Sequence, residues 1–404
     1  MPVIHAALAG CVGFSWLYWL LCADSARRWR RSRDGGSDQL SVVGHQSAAD
    51  PKSKIHIPKS QCFTPPISIL KPLCGDDPEL YENLRSFCVQ EYPEFQVVFG
   101  ALDADDPSLE IARKLQDELP DADIAIVSGG EVFGANLKVC NLEQMRAAAK
   151  HDLLALSDSD MRVEPHYLQR IAAPFANPAV GLVTCPYRAA RVEGLGSSLE
   201  ALGIGADFMP SVMLTRRFWG MRFAFGSTIA LRAEVLEQMG GFRRLADELA
   251  DDYLVGNGAW RAGWRVELSD YVVDNVLGRE SFKAMWTRRL RWARTTRGLQ
   301  PLPYFGSVLT HGFPIALMFA IVTGLGGFGL SVLAATVFVR ALIASIICGR
   351  YARDTILPGE LWLLPFSDML SFGLWVGAYL GNSVEWRGVR YRMGRGGRLT
   401  PVGR

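Results

Sequence analysis

Residues 2–22, PVIHAALAGCVGFSWLYWLLC, contain no Asp, Glu, Lys or Arg, and Arg27, Arg28, Arg30, Arg31 and Arg33 follow close behind. This length is what a helix needs to cross the hydrocarbon core of a bilayer, where each backbone polar group must be satisfied inside the segment. Positive charge placed after the apolar run holds the chain from residue 24 onward on the cytoplasmic side. A cleavable leader would carry its charge before the run and a small-residue cleavage site behind it, so residues 1–23 read as a retained anchor.

The other end of the chain is apolar as well. Spans are expected near 305–325 and 328–349, while a further apolar stretch, 359–381, is interrupted by Pro365 and Asp368. Arg387, Arg390, Arg392, Arg395, Arg398 and Arg404 follow in a basic tail, 382–404. Two crossings return the chain to the cytoplasm, and another would strand those arginines outside. Within the membrane region 301–381, the stretch 359–381 is therefore expected to be re-entrant or interfacial, packed on protein. The expected location is the cell inner membrane, multi-pass, with the central domain in the cytoplasm.

Between these ends, residues 24–64 are polar, contain Gly35-Gly36-Ser37 and read as a solvated tether. Over 65–300, short apolar runs (ISIL, EFQVVFGAL, ADIAIV, DLLALS, VGLVTC) alternate with amphipathic segments. That pattern predicts an α/β domain with a mostly parallel sheet. Lys+Arg total 43 against Asp+Glu 41, a balance that argues against a nucleic-acid partner. The eight cysteines form no C-x-x-C pair and no zinc spacing, so neither a metal staple nor a disulfide framework is expected.

Three D-x-D triplets occur, at Asp103-Ala104-Asp105, Asp121-Ala122-Asp123 and Asp158-Ser159-Asp160. Asp121 follows Pro120 after a charged segment and reads as a turn or cap. Asp158 and Asp160 follow the strand-like run LLALS, and in open α/β sheets ligands bind at the carboxyl ends of strands. Paired carboxylates there suit Mg2+ or Mn2+, hard ions that commonly bridge one or two carboxylates to substrate phosphates. Asp103, after VVFGAL, is placed either to hold a donor's base or ribose or simply to form a turn. Asp251-Asp252 opens a helix-like segment, where an acid serves chemistry or only the helix dipole. In SFKAMWTRRLRWARTTRGL, an apolar side bearing Trp286 and Trp292 opposes Arg288, Arg291 and Arg294. This is a basic amphipathic helix suited to a membrane surface or to phosphates.

Taken in order, Asp103, Asp158-Ser159-Asp160, Asp252 and the R-x-x-R-W run Arg288, Arg291, Trp292 resemble the D, DxD, D, (Q/R)xxRW signature of glycosyltransferase family 2. Through SILKPLCG, YENLRSFCVQEYP, GANLKVCNL, LADDYLVG, LRWART and WRGVRYR the chain is similar to the ceramide glucosyltransferase branch, and most to the hopanoid-biosynthesis glycosyltransferases. The resemblance implies a GT-A fold, a UDP-sugar donor, inversion at the anomeric carbon and a membrane-lipid acceptor, hopanoid or sphingolipid. By position it implies that Asp103 contacts uridine, that Asp158 and Asp160 serve the diphosphate and metal, and that Asp252 is the general base. Arg288, Arg291 and Trp292 would close over the diphosphate and acceptor, with Asn136 and Lys138 on the donor side.

The reading that follows is transfer of N-acetylglucosamine from UDP-GlcNAc to bacteriohopanetetrol. Its alternative is glucosyl transfer from UDP-glucose to ceramide. A transporter would need more spans with polar residues inside them. A scaffold without catalysis would have no need of the full acidic set and the R-x-x-R-W run, all of which are present.

Overall fold

The structure is a computed structural model that describes residues 2–34, 63–352, 357–386 and 389–402. Most of the expected tether, from residue 35 to residue 62, lies outside the described residues, as do Cys62, Arg387, Arg404 and the side chains of Arg33 and Arg395. The first ten strands are β1 (Ile67–Pro72), β2 (Phe95–Ala101), β3 (Ile124–Ser128), β4 (Leu153–Leu156), β5 (Met161–Arg162), β6 (Val180–Thr184), β7 (Tyr187–Glu193), β8 (Ile229–Arg232), β9 (Arg265–Leu268) and β10 (Val273–Arg279). Seven of them form one sheet in the order β3-β2-β1-β4-β8-β6-β9. The β3-β2-β1-β4 half is parallel, and β8 runs antiparallel between β4 and β6. A smaller sheet, β5-β10-β7, stands beside it.

The apolar runs are continuous rather than alternating because both faces of the sheet are covered. Helix Leu137–Ala148 packs Val139, Leu142 and Met145 on one face. Helices Leu80–Cys88 and Ser108–Glu118 place Leu84, Phe87, Leu109 and Leu115 on the other. Parallel pairing sends the carboxyl ends of β1, β2 and β4 to one edge, where the segment after Leu156 carries the D-x-D triplet.

On the Leu137–Ala148 face, the core continues through Met209 and Met213 to Trp19, Trp29, Ile343 and Cys348. The sheet and the apolar helices therefore share one buried cluster. The N-terminal helix is unbroken from Pro2 to Asp34, extending beyond the anchor expected at 1–23. Among the described residues, three helical runs are long and apolar enough to cross a membrane: Pro2–Arg31, Gly327–Arg350 and Leu361–Tyr379. A bent pair, Pro301–Thr310 and Gly312–Val322 at 57°, adds a fourth if it counts as one span.

The interruption thus lies in 301–322, whereas the stretch expected to be re-entrant forms one helical run. Pro365 stands in the first turn of helix Leu364–Tyr379, where a missing N–H costs little. Asp368 is matched by Arg340, whose Nη2 lies 2.9 Å from its Oδ1. The tail forms strands β11 (Ser383–Trp386), β12 (Val389–Met393) and β13 (Leu399–Pro401), which lie against the central domain. There Leu399 N donates to Asp247 O at 2.7 Å, and Tyr391 OH to Ala135 O at 3.3 Å.

Candidate active site

Strand β4 is buried throughout, and the chain leaves it through Ser157, whose hydroxyl donates to Ser227 O at 2.9 Å. This fixes the direction of the triplet. Asp158 N donates to Gly226 O at 3.0 Å, and Gly226 N donates to Asp252 Oδ2 at 3.2 Å. One glycine thus joins both acidic sites through its backbone. A Cβ at Gly226 would stand 2.2 Å from Asp158 Oδ2, so any side chain there would push the Asp158 carboxylate from its place.

The Asp158 carboxylate pairs with the Lys138 ammonium, which also lies 3.6 Å from Asp251 Oδ2. Burial works against the Lys138 charge, but Asp158, Asp251 and Asp252 outweigh it and raise its proton affinity. Asn136 caps the same helix, its Oδ1 accepting from Val139 N at 3.1 Å, while its Nδ2 donates to Glu248 O at 2.8 Å and Asp251 Oδ1 at 3.2 Å. Asp251 is thereby taken up by Asn136 and Lys138. Its neighbour Asp252, one step round the helix Asp251–Arg261, accepts from Gly226 N and from its own Tyr253 N at 2.7 Å. Burial and the adjacent Asp251 charge push the Asp252 carboxyl up to about 6, against the pull of Lys138.

Asp160 accepts from Asn275 Nδ2 at 2.9 Å through Oδ2, whereas its buried Oδ1 has no hydrogen-bond partner among the described residues. Burial, then Asp158 and Asp77, push its carboxyl up to about 7. No three His, Cys, Asp or Glu groups among the described residues form a ready-made metal cage. Mg2+ and Mn2+ do not require one when substrate phosphates complete the coordination. An unpartnered carboxylate oxygen beside further negative charge fits such an ion at Asp158 and Asp160.

Arg288 makes two parallel bonds to Glu280, at 2.6 and 2.7 Å, and lies 3.5 Å from the buried Glu200. The Arg291 guanidinium instead sits over the Trp386 ring, 5.8 Å from its centroid. Trp292 is exposed and lies 5.5 Å from the Arg288 guanidinium. Asp103 is exposed on the loop after β2, where its Oδ1 accepts from Asp105 N at 3.0 Å. The structure therefore joins Asn136, Lys138, Asp158 and Asp252 in one network and sets Asp160 beside it. Asp103 and Arg291 are held by other partners.

Residues that the sequence reading passed over complete the site. Lys71 of β1 is fully buried, 3.8 Å from the centroid of the Phe87 ring, and donates to Asp158 O. Burial depresses its ammonium to about 7, although Asp158, Asp160 and Asp77 resist. A lone lysine in ISILKP was the available signal. Tyr187 experiences the charges of Glu200, Asp252, Asp160 and Arg288 and so stands among the acidic groups and the arginine. Its ring packs on Phe208 and Phe225, at centroid separations of 5.7 and 6.3 Å.

A mixed α/β sheet of the GT-A type, with acidic residues gathered at its carboxyl edge and apolar helices at both ends, defines a membrane-associated glycosyltransferase. The family model for glycosyl transferase family 21 matches residues 41–399, and the chain belongs to that family. Ceramide glucosyltransferase 1 of Caenorhabditis elegans is 24% identical over 83% of this chain and 73% of its own length. Ceramide glucosyltransferase 3 of the same organism is also 24% identical, over 86% and 76%. In fold the chain is similar to a mannosyltransferase from Pyrobaculum calidifontis solved with GDP-Man and Mn2+, with a TM-score of 0.53 and 20% identity, covering 94% of this chain and 97% of the other.

Proposed function

We propose that this chain is an inverting lipid glycosyltransferase that moves glucose from UDP-glucose to the hydroxyl of a ceramide-class lipid. The observation that carries the mechanism is the backbone of Gly226, which sets Asp158 and Asp252 on either side of a single residue. The relatives are ceramide glucosyltransferases, which favours the sphingolipid over the bacteriohopanetetrol reading drawn from the sequence. Transfer of N-acetylglucosamine to a hopanoid would use the same steps.

In this mechanism the acceptor oxygen attacks the anomeric carbon as the bond from that carbon to the diphosphate oxygen breaks. Asp252 takes the hydroxyl proton. Because the displacement is single, an α-linked donor gives a β-linked product. Lys138, steered by Asp158 and Asp251, lies on the donor side, and Arg288 moves from Glu280 to the departing diphosphate, where fixed positive charge acts without solvent reorganisation. A divalent ion at Asp158 and Asp160 would neutralise diphosphate charge; the similar mannosyltransferase carries Mn2+.

The catalytic domain faces the cytoplasm of an inner membrane in this reading. The tail, packed on Ala135 and Asp247, shares that side. An impermeant maleimide should reach a cysteine placed at Gly394 only after the membrane is opened, and labelling in intact cells would refute the arrangement. Function is tested by incubating purified protein with UDP-glucose or UDP-GlcNAc and with ceramide or bacteriohopanetetrol, and weighing the products by mass spectrometry. Glucosylceramide is expected. A hopanoid product alone would restore the other pairing, and no product from any combination would refute both.

A further inference from the structure

Away from the sheet edge, a cavity of about 280 Å³ opens among the apolar helices. Phe313, Val337, Ala341 and Leu364 are among its walls, and Arg340 and Asp368 also line it. Both charged residues are deeply buried, 4% and 6% exposed. Ionisable side chains in a membrane segment are expensive and mark functional positions more often than accidental ones.

The cluster is bonded in a directed way. Arg340 Nη1 donates to Ala206 O at 3.0 Å, and Nη2 reaches Asp207. The next residue, Phe208, packs on Tyr187 and Phe225 beside the catalytic carboxylates. The two residues that hold the Arg340 side of the cavity floor, Ala206 and Asp207, thus directly precede, in one helical turn, the ring that packs beside the active site. Asp368 Oδ2 accepts Arg340 Nε at 3.2 Å, and a carboxylate oxygen has room for a second donor. Apolar walls closed by a charged pair with spare acceptor capacity suit an alkyl chain joined to an amide or hydroxyl group. Bulk phospholipid, whose headgroup has no such donor close to its chains, matches the floor less well.

We propose that this cavity is the subsite for the hydrocarbon chain of the lipid acceptor, with a backbone N–H or O–H of the lipid donating to Asp368. The assignment rests on the ceramide-class reading above. Ala341→Phe fills the cavity without touching the catalytic groups. In full-length protein in nanodiscs, the variant should raise the KM for long-chain ceramide roughly tenfold, the loss expected when about two methylenes lose their burial. The KM values for UDP-glucose and for a ceramide with a truncated acyl chain should stay at wild type. An unchanged long-chain KM would overturn the subsite, as would an equal rise for both ceramides.

A second arm uses wild-type protein and a ceramide carrying a diazirine in its acyl chain. It should label peptides containing Ala341 or Leu364 and be displaced by unlabelled ceramide, while a phosphatidylcholine bearing the same chain should not label them. Equal labelling by both probes would show a groove for bulk lipid and overturn the proposal. If wild-type protein transfers no sugar to ceramide, the acceptor reading fails, and the labelling arm still decides the cavity by itself.

Discussion

Two clusters of buried charge lie along one continuous core, and they are wired in opposite ways. At the sheet edge, Asp158, Asp160, Asp251 and Asp252 face the ammonium groups of Lys71 and Lys138, leaving an excess of negative charge. One oxygen of Asp160 has no hydrogen bond among the described residues, and two of the carboxyls are pushed up to about 7 and about 6. Between the apolar helices, every nitrogen of the Arg340 guanidinium is bonded, to Asp368, Asp207 and Ala206. The Trp19 ring covers it at 5.2 Å. An under-neutralised cluster is poised to bind and to exchange a proton. One with a saturated arginine holds a geometry, because a half-satisfied network in a low dielectric is costly, and offers a ligand only the remaining acceptor capacity of Asp368.

The sharpest way to break this contrast is Asp252→Asn. The amide keeps the volume and can accept from Gly226 N, yet it cannot take the acceptor proton. Turnover should fall roughly 10²- to 10⁴-fold, the range general-base catalysis supplies, with UDP-sugar affinity close to wild type in calorimetry. Asp251→Asn is the internal control, because Asp251 is engaged by Asn136 and Lys138, and its loss of turnover should be clearly smaller. Full activity in both variants would remove Asp252 from the reaction.

On the saturated side, Asp368→Asn should act on stability. Removing one partner of a buried pair commonly costs about 3–5 kcal/mol, and since Asp207 still balances Arg340 the expected loss is nearer 2–3 kcal/mol. Thermal unfolding in detergent should show it as a lowered Tm. Turnover of the folded fraction at saturating truncated ceramide should be retained, because the Asn amide oxygen can still accept from the lipid N–H or O–H. A variant that keeps its Tm and loses that turnover would reverse the roles assigned to the two clusters.

Proton affinity gives a smaller but more diagnostic effect. With its carboxyl pushed up to about 6, Asp252 is ionised above that pH and protonated below it. A base must be ionised, so kcat/KM should fall as the pH drops through about 6, approaching tenfold per unit on the acid side. A profile flat down to pH about 4 would place Asp252 in the ordinary carboxylate range and outside the rate-determining proton transfer.

These contrasts also show what the sequence could reveal. Asp158 and Asp160 were legible because the buried run LLALS points to a strand end, and strand ends are where α/β sheets bind ligands. Asp252 was legible only through its place in an ordered motif. Lys71 was missed because a lysine in an apolar strand gains meaning only once Asp158 O is seen to accept from it. Gly226 had no signal, since its value is the lack of a Cβ beside Asp158. Arg340 lies 133 positions from Asp207 and 28 from Asp368, separations at which no local pattern pairs charges. Without that pairing, Asp368 read as a break in 359–381.

The smallest expected effect separates two meanings of Asn136, which the family resemblance places on the donor side. Its side chain is wholly buried, and its oxygen and amide are already engaged by Val139 N, Glu248 O and Asp251 Oδ1. A residue so occupied supports the site by fixing the start of the helix that carries Lys138 and by holding the Asp251 carboxylate. Asn136→Ala should therefore remove a cap worth about 1 kcal/mol, and Tm should fall accordingly. The UDP-glucose KM should shift by no more than roughly fivefold, the kinetic equivalent of that energy. Asn136→Ser restores a cap acceptor without the donated bonds, so it should recover part of the Tm. If Asn136 instead binds the donor directly, Asn136→Ala and Asn136→Ser would both raise the UDP-glucose KM well beyond that limit, with Tm close to wild type.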